Sequence, residues 1–210
     1  MPFRVAVLIS GAGTNLQALL DTVHGRHGIE IVAVGSSNPA AGGLVRAERA
    51  GVSTALFPMA DHADRAARDR ALGDWLEANS AELVVLAGFM ELLDPTLVRR
   101  FAWRMINVHP ALLPAFPGVR AIEQALDYGV KVIGVTVHFV DEGVDTGPII
   151  LQECFELPYP RDIAEIEQRV HAVEHRLLPR AVRLIAEGRV RIDKTNPRLV
   201  HIDRRDNAPH

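Results

Sequence analysis

The chain opens on an uninterrupted apolar run, Val5-Ala6-Val7-Leu8-Ile9, that ends in Ser10-Gly11-Ala12-Gly13. A strand with water on one face alternates apolar and polar side chains. A strand that is apolar at every position needs cover on both faces. The run therefore points to a buried parallel strand in a sheet flanked by helices. It is far too short to span a bilayer, and no basic segment followed by a secretory apolar stretch precedes it.

The same grammar repeats downstream. A helix is expected over Asn15 to Val23, then a strand over Ile29 to Gly35, closed by Ser36-Ser37-Asn38-Pro39. A helix over Gly43 to Ala50, a short strand over Thr54 to Phe57, a polar alanine-rich helix over Asp64 to Asn79 and a buried strand over Leu83 to Ala87 follow. In the second half, Met105 to Val108 reads as a short strand entering a proline-rich loop, His109 to Gly118. After a helix over Ala121 to Tyr128, Val132 to Val140 and Ile149 to Phe155 read as strands around a Gly/Asp-rich loop, an antiparallel extension of the sheet. A long helix, Asp162 to Glu187, comes next, and the polar end from Asn207 onward is expected to fray. No internal repeat or low-complexity linker interrupts this order. The pattern predicts an α/β fold: a single-domain, Rossmann-like, open and mostly parallel sheet with helices on both faces.

Composition bounds the function. Hydrophobic residues make up 48% of 210, enough for a substantial core. A net charge of −3 offers no global attraction for nucleic acid or anionic membrane. The lone cysteine, Cys154, excludes an intramolecular disulfide framework and suits a reducing compartment, so a cytoplasmic protein is expected. Its setting in an apolar strand suggests a core position. Trp75 and Trp103 read as packing residues, and His138, alternating with apolar neighbours, as a buried hydrogen-bonded histidine that could border a site.

Ser10-Gly11-Ala12-Gly13-Thr14-Asn15 lies between a strand and a helix, where amide N–H groups can bind an anion. A dinucleotide fingerprint needs a third glycine where this chain has Leu16, and an acidic residue where it has Val34-Gly35-Ser36-Ser37-Asn38. A Gly-Lys-Ser/Thr sequence is also missing. The loop suits a monophosphate, and an ordinary glycine turn explains it equally well. Asn107-Val108-His109-Pro110 places an amide and an imidazole two apart at a strand end, on the same side of an extended segment. Gly143-Val144-Asp145-Thr146-Gly147-Pro148 carries a carboxylate in a glycine-flanked loop. Brought together, these three could run acyl transfer, with His109 and Asn107 donating to an oxyanion and Asp145 favouring the imidazolium and helping to move a proton. On spacing alone, a structural histidine and a loop-capping aspartate account for them slightly better.

These segments carry a resemblance. Ile9 to Gln17 resembles the first motif of the phosphoribosylglycinamide formyltransferases, and Leu86-Ala87-Gly88-Phe89-Met90 their central strand. Asn107 through Pro114, on to Pro117-Gly118, resembles their catalytic strand and loop. Gly134 to Val140 with Asp145-Thr146-Gly147-Pro148-Ile149 resembles their last catalytic segment. The likeness runs in order over roughly residues 3 to 190. It implies Asn107, His109 and Asp145 as the catalytic trio. It also implies Gly13, Thr14 and Asn15 as the loop holding the substrate phosphate, and Glu174 as a contact to the ribonucleotide. Arg65, Met90, Glu91, Leu92, Leu93, Asn107, Asp141, Glu142, Gly143 and Val144 would hold the cosubstrate, 10-formyltetrahydrofolate. No metal is implied. In these terms residues 1–100 form a phosphate-binding half, 101–190 a catalytic and folate-binding half, and 191–210 a C-terminal tail. The partners implied are small molecules acting on a monomer or homodimer, without nucleic acid or membrane. Two positions depart from the family: Glu91 stands where a basic residue is common, and Ala115 where lysine is common.

The nearest alternative is a 10-formyltetrahydrofolate deformylase, which shares the Asn, His and Asp chemistry. Its extra amino-terminal domain has no room before Val5, and its phosphate loop lacks the Gly-Ala-Gly-Thr-Asn pattern. Methionyl-tRNA formyltransferases add a carboxy-terminal domain, whereas about twenty residues follow Val190. His171-Ala172-Val173-Glu174-His175 matches the inverted zinc-protease pattern. That site needs a further acidic ligand, which none of Glu187, Asp193, Asp203 or Asp206 identifies itself as being. A noncatalytic nucleotide-binding protein would leave the Asn-His and Asp pairing unexplained.

Overall fold

The computed structural model describes residues 1–158 and 162–203. The opening run forms β1 (Phe3–Ile9), an inner strand of a seven-stranded sheet. The chain then builds α1 (Thr14–Thr22), β2 (Ile29–Ser36), α2 (Gly42–Arg49), β3 (Ser53–Leu56), α3 (Arg65–Ala78) and β4 (Leu83–Leu86). It continues through α4 (Pro95–Arg100), β5 (Met105–His109), α5 (Ala121–Tyr128), β6 (Val132–Phe139), β7 (Ile149–Glu156), α6 (Ile163–Ala186), β8 (Val190–Ile192) and β9 (Val200–Ile202). The strand order is β3-β2-β1-β4-β5-β6-β7. Pairing is parallel from β3 to β5 and antiparallel for β5–β6 and β6–β7, as the sequence predicts.

Both faces of the sheet are covered, and β1 divides its side chains between two cores. Val5, Val7 and Ile9 pack with Leu16 and Leu19 of α1 and Val170, Val173 and Leu177 of α6. Ala6 and Leu8 pack on the opposite face with Leu72 and Leu76 of α3 and Leu97 of α4. All five residues from Val5 to Ile9 are fully buried, which explains why the run shows no alternation. Each large aliphatic side chain so buried contributes about 1.5–3 kcal/mol.

Strand order turns around between β1 and β4, the point where ligands enter open α/β sheets, outside the carboxyl ends of the strands. The loops that leave this edge are Ser10–Gly13 after β1, 87–94 after β4 and 110–120 after β5.

Three elements differ from the sequence reading. Helix α4 was not expected, although Asp94-Pro95 is a helix start: the Asp94 side chain accepts from Thr96 N–H and Pro95 occupies the first turn. The region after α6 carries a small hairpin, β8–β9, in place of a plain tail. Residues 204–210, and the fraying expected from Asn207, lie outside the described residues. Cys154 is exposed rather than in the core. β7 is the sheet's edge strand, where Gln152, Cys154 and Glu156 are all exposed. Trp75 packs edge-on against Phe57, and Trp103, about half exposed, against Phe139. Among the described residues, no helix is long and apolar enough to cross a membrane.

Candidate active site

Asn107 and His109 leave β5 on the same side, and antiparallel pairing sets His138 of β6 directly opposite Asn107. The Asn107 Nδ2 lies 3.3 Å from His138 Nε2 and 3.3 Å from Asp145 Oδ1. His109 Nδ1 lies 3.3 Å from Asp145 Oδ2, and the same oxygen accepts the Gly118 N–H at 2.7 Å. The loop after β6 therefore folds back to the strand end, and the three residues predicted to act together meet. His138, buried as expected, donates through Nδ1 to the Phe139 carbonyl at 2.8 Å and sets Nε2 3.5 Å from Asp145 Oδ1.

The Asp145 carboxyl is held below its usual range. Burial pushes its pKa up, but the hydrogen bonds from His138 and the Gly118 N–H, with the charges of His109 and His138, outweigh burial. The backbone that presents it is unusual: Asp145 has φ 53°, in a turn where Thr146 Oγ1 and Gly143 N–H both donate to Asp141 Oδ1. A side chain at Gly147 would have its Cβ 1.7 Å from the Phe139 carbonyl oxygen, so only glycine permits this return.

His109 is 4% exposed and engaged at both nitrogens. Its Nε2 donates to the Phe116 carbonyl at 2.8 Å, and because a carbonyl can only accept, that nitrogen carries a proton while Nδ1 faces Asp145. Phe116 aims its carbonyl inward through a left-handed backbone, φ 54°. Thr136, fully buried in β6, pins the same loop by donating to the Ala111 carbonyl and accepting the Leu113 N–H. The sequence offers no signal for the Phe116 contact, because it is made by a main-chain atom.

The trio borders a cleft of about 380 Å³ between the β4 and β6 loops. Every position implied for the cosubstrate lines it: Arg65, Met90, Glu91, Leu92, Leu93, Asn107, Asp141, Glu142, Gly143 and Val144. The four positions implied for the ribonucleotide form a separate cluster at the end of β1. Gly13, φ 73°, caps α1, and a Cβ there would meet Gly43 Cα at 2.5 Å. Asn15, in the first turn of α1, donates to Glu174 Oε2 at 3.0 Å, and His171 Nδ1 reaches the same oxygen at 3.0 Å. The Asn15 Oδ1 is buried without a hydrogen-bond partner among the described residues. Arg46, which sequence reasoning passed over, buttresses the loop through the Ala12 carbonyl at 2.9 Å. Ser10 joins the two clusters: its hydroxyl accepts the Met90 N–H at 2.9 Å and pairs with Ser37 at 2.8 Å. The rings of His171 and His175 stack at 6.1 Å, but Glu174 is turned towards Asn15 and His171. Among the described residues no cluster of His, Cys, Asp or Glu is arranged to hold a metal ion.

Residues 3–182 match the formyl transferase family. The phosphoribosylglycinamide formyltransferase of Haemophilus influenzae is 40% identical over 191 residues, which are 90% of this chain and 90% of that protein. The trifunctional purine biosynthetic protein adenosine-3 of Bos taurus is 46% identical over 190 residues; the chain spans only 19% of its length. The solved structure of glycinamide ribonucleotide transformylase 1 from Symbiobacterium toebii is 46% identical, with TM-score 0.90 over 96% of this chain and 94% of that one. A formyltetrahydrofolate deformylase from Pseudomonas syringae is more distant, 28% identical with TM-score 0.87, and this chain spans 66% of it. The chain is a member of the formyl transferase family and belongs, within it, with the phosphoribosylglycinamide formyltransferases.

Proposed function

We propose that this chain transfers the formyl group of 10-formyltetrahydrofolate to the amine of 5'-phosphoribosylglycinamide, a step of purine synthesis. The observation that carries the reading is the convergence of Asn107, His109 and Asp145 at one wall of the cleft that all ten cosubstrate positions line. The neutral amine attacks the formyl carbon, and the carbonyl electron pair moves to oxygen. Asn107 Nδ2 and the His109 N–H stabilise that oxyanion, worth ~10²–10³ in rate per donor. To do so, His109 Nε2 must turn its proton from the Phe116 carbonyl towards substrate. Asp145, a carboxylate at neutral pH whose neighbours hold its pKa below the ordinary value, takes up the proton leaving the amine through water. Collapse expels the folate nitrogen, which receives through water the proton that Asp145 took up, so that the carboxylate is regenerated. Among the described residues no Ser or Cys hydrogen-bonds to a side chain of the trio, which suits direct transfer without a covalent enzyme intermediate.

The Gly13 loop, at the start of α1, suits the ribonucleotide phosphate. The unsatisfied Asn15 Oδ1 and the Glu174 carboxylate are acceptors suited to ribose hydroxyls. Residues 1–210 act as one unit, a monomer or homodimer working on small molecules in the cytoplasm. A deformylase would use the same trio on water, and the ribonucleotide cluster beside Ser10 favours the transferase. The deciding assay follows 10-formyl-folate consumption with and without glycinamide ribonucleotide. Consumption only with the ribonucleotide is expected; equal consumption without it would assign the deformylase.

A further inference from the structure

Arg68 is fully buried in α3, the largest side chain among the fully buried ones described. Removing a guanidinium from water carries a large desolvation cost, and an apolar side chain would fill the same space more favourably. The charge must therefore serve a use other than filling. Its donors are divided among three acceptors: Nε to Asp69 Oδ1 at 2.6 Å, Nη1 to Glu91 Oε2 at 3.2 Å, and Nη2 to the Leu92 carbonyl at 2.9 Å. Asp69, 1% exposed, uses its second oxygen to accept the Asp94 N–H at 2.5 Å. One buried pair on α3 thus grips positions 91, 92 and 94 of the loop after β4. At the loop's other end the Ser10 hydroxyl holds the Met90 N–H. Between these anchors Met90 and Leu92 stand 73% and 60% exposed on the cleft wall.

We propose that Arg68, seated by Asp69, is a positioning residue for the formyl-folate: it fixes the Met90–Asp94 backbone in the shape the cosubstrate binds. The Glu91 carboxylate is its counter-ion rather than a side-chain contact for the ligand. This explains the departure at Glu91. A free carboxylate on the cleft wall would repel the carboxylates of a folate, whereas one bound to Arg68 has its charge met. The inference rests on the assignment of the cleft to formyl-folate.

The test is steady-state kinetics on Arg68→Lys, Arg68→Met and Arg68→Met/Glu91→Gln beside the wild-type chain. Lysine keeps the charge but cannot reach three acceptors at once. Both single variants are expected to raise the KM for formyl-folate about tenfold, with the KM for ribonucleotide changed less than about twofold. Adding Glu91→Gln to Arg68→Met removes the bared charge and should bring the formyl-folate KM part of the way back. The two KM values rising together, or neither moving, would overturn the proposal. Should Arg68→Met fail to fold, the same split in Arg68→Lys decides. Ribonucleotide-dependent consumption of formyl-folate by the wild type tests the function itself, whichever way the variants fall.

Discussion

Asp145 grips His109 and the Gly118 N–H with a single carboxylate oxygen, Oδ2, and leaves Oδ1 to face Asn107 and His138. One side chain therefore orients the imidazole, anchors the end of the loop that carries Phe116, and faces the second oxyanion donor. His109→Ala removes a donor and should lower kcat by ~10²–10³. Asp145→Ala should lower kcat by ~10²–10⁴ through the lost proton acceptor and the released loop. Ribonucleotide affinity, measured by calorimetry, should stay close to wild type in both, because Gly13, Asn15 and Glu174 form a separate cluster. Wild-type turnover by both variants would refute the roles given to the trio.

The depressed pKa of Asp145 also makes a prediction about stability. A carboxyl whose folded pKa lies below its unfolded value stabilises the fold above the unfolded value, and that contribution is lost as pH falls through the folded pKa. Its ordinary value is 3.8. The contribution that Asp145→Asn removes should thus shrink as pH falls below about 4. Urea titrations of both proteins from pH 5 downward would show it; a contribution that grew as pH fell would contradict the direction of the shift.

In the cluster proposed for the ribonucleotide, Glu174 joins Asn15 to His171. Glu174→Gln should raise the KM for ribonucleotide about tenfold and leave that for formyl-folate unchanged, the mirror image of the Arg68 variants. Equal changes in both would remove Glu174 from the substrate site.

His171 titrates with the opposite sign to Asp145. Its hydrogen bond to Glu174 raises its pKa above the usual 6.5, with the Glu174 and Glu167 charges adding to this and partial burial opposing it. Its stabilising contribution is complete below the unfolded value and lost as pH rises through the folded one. Thermal melts of wild type and His171→Gln should therefore differ at pH 6 and converge towards pH 9. A gap that widened with pH would show the shift to be reversed.

What the sequence disclosed and what it hid divide by the kind of signal. Val5 to Ile9 announced a doubly covered strand because burial on both faces removes alternation, and Asn107 and His109 fell on one side because a strand repeats every two residues. Cys154 misled, because apolar neighbours do not tell an edge strand from an inner one. The β8–β9 strands are three residues each, too short for a period to register. Arg68 was hidden in α3, where one charged residue among many reads as a wet face; only the fold shows that it points inward at Leu92. The Phe116 carbonyl left no trace, since its direction depends on a backbone angle.

Gly13 allows backbone and contact to be separated. Its φ of 73° disfavours any side chain, and the Cβ of an alanine would lie 2.5 Å from Gly43 Cα, a backbone atom that yields only if α2 shifts. Gly25 has nearly the same φ, 67°, with nothing within 4 Å of the added atom. Gly25→Ala should thus cost only the left-handed penalty, about 1–2 kcal/mol. Gly13→Ala adds a collision typical of overpacking, about 1–3 kcal/mol more, and displaces the amides at the start of α1. Guanidinium unfolding compares the stabilities. The KM for ribonucleotide should rise in Gly13→Ala alone. Equal destabilisation by the two would mean that α2 moves aside to admit the methyl group, and an unchanged KM would mean that the loop's amides do not hold the phosphate.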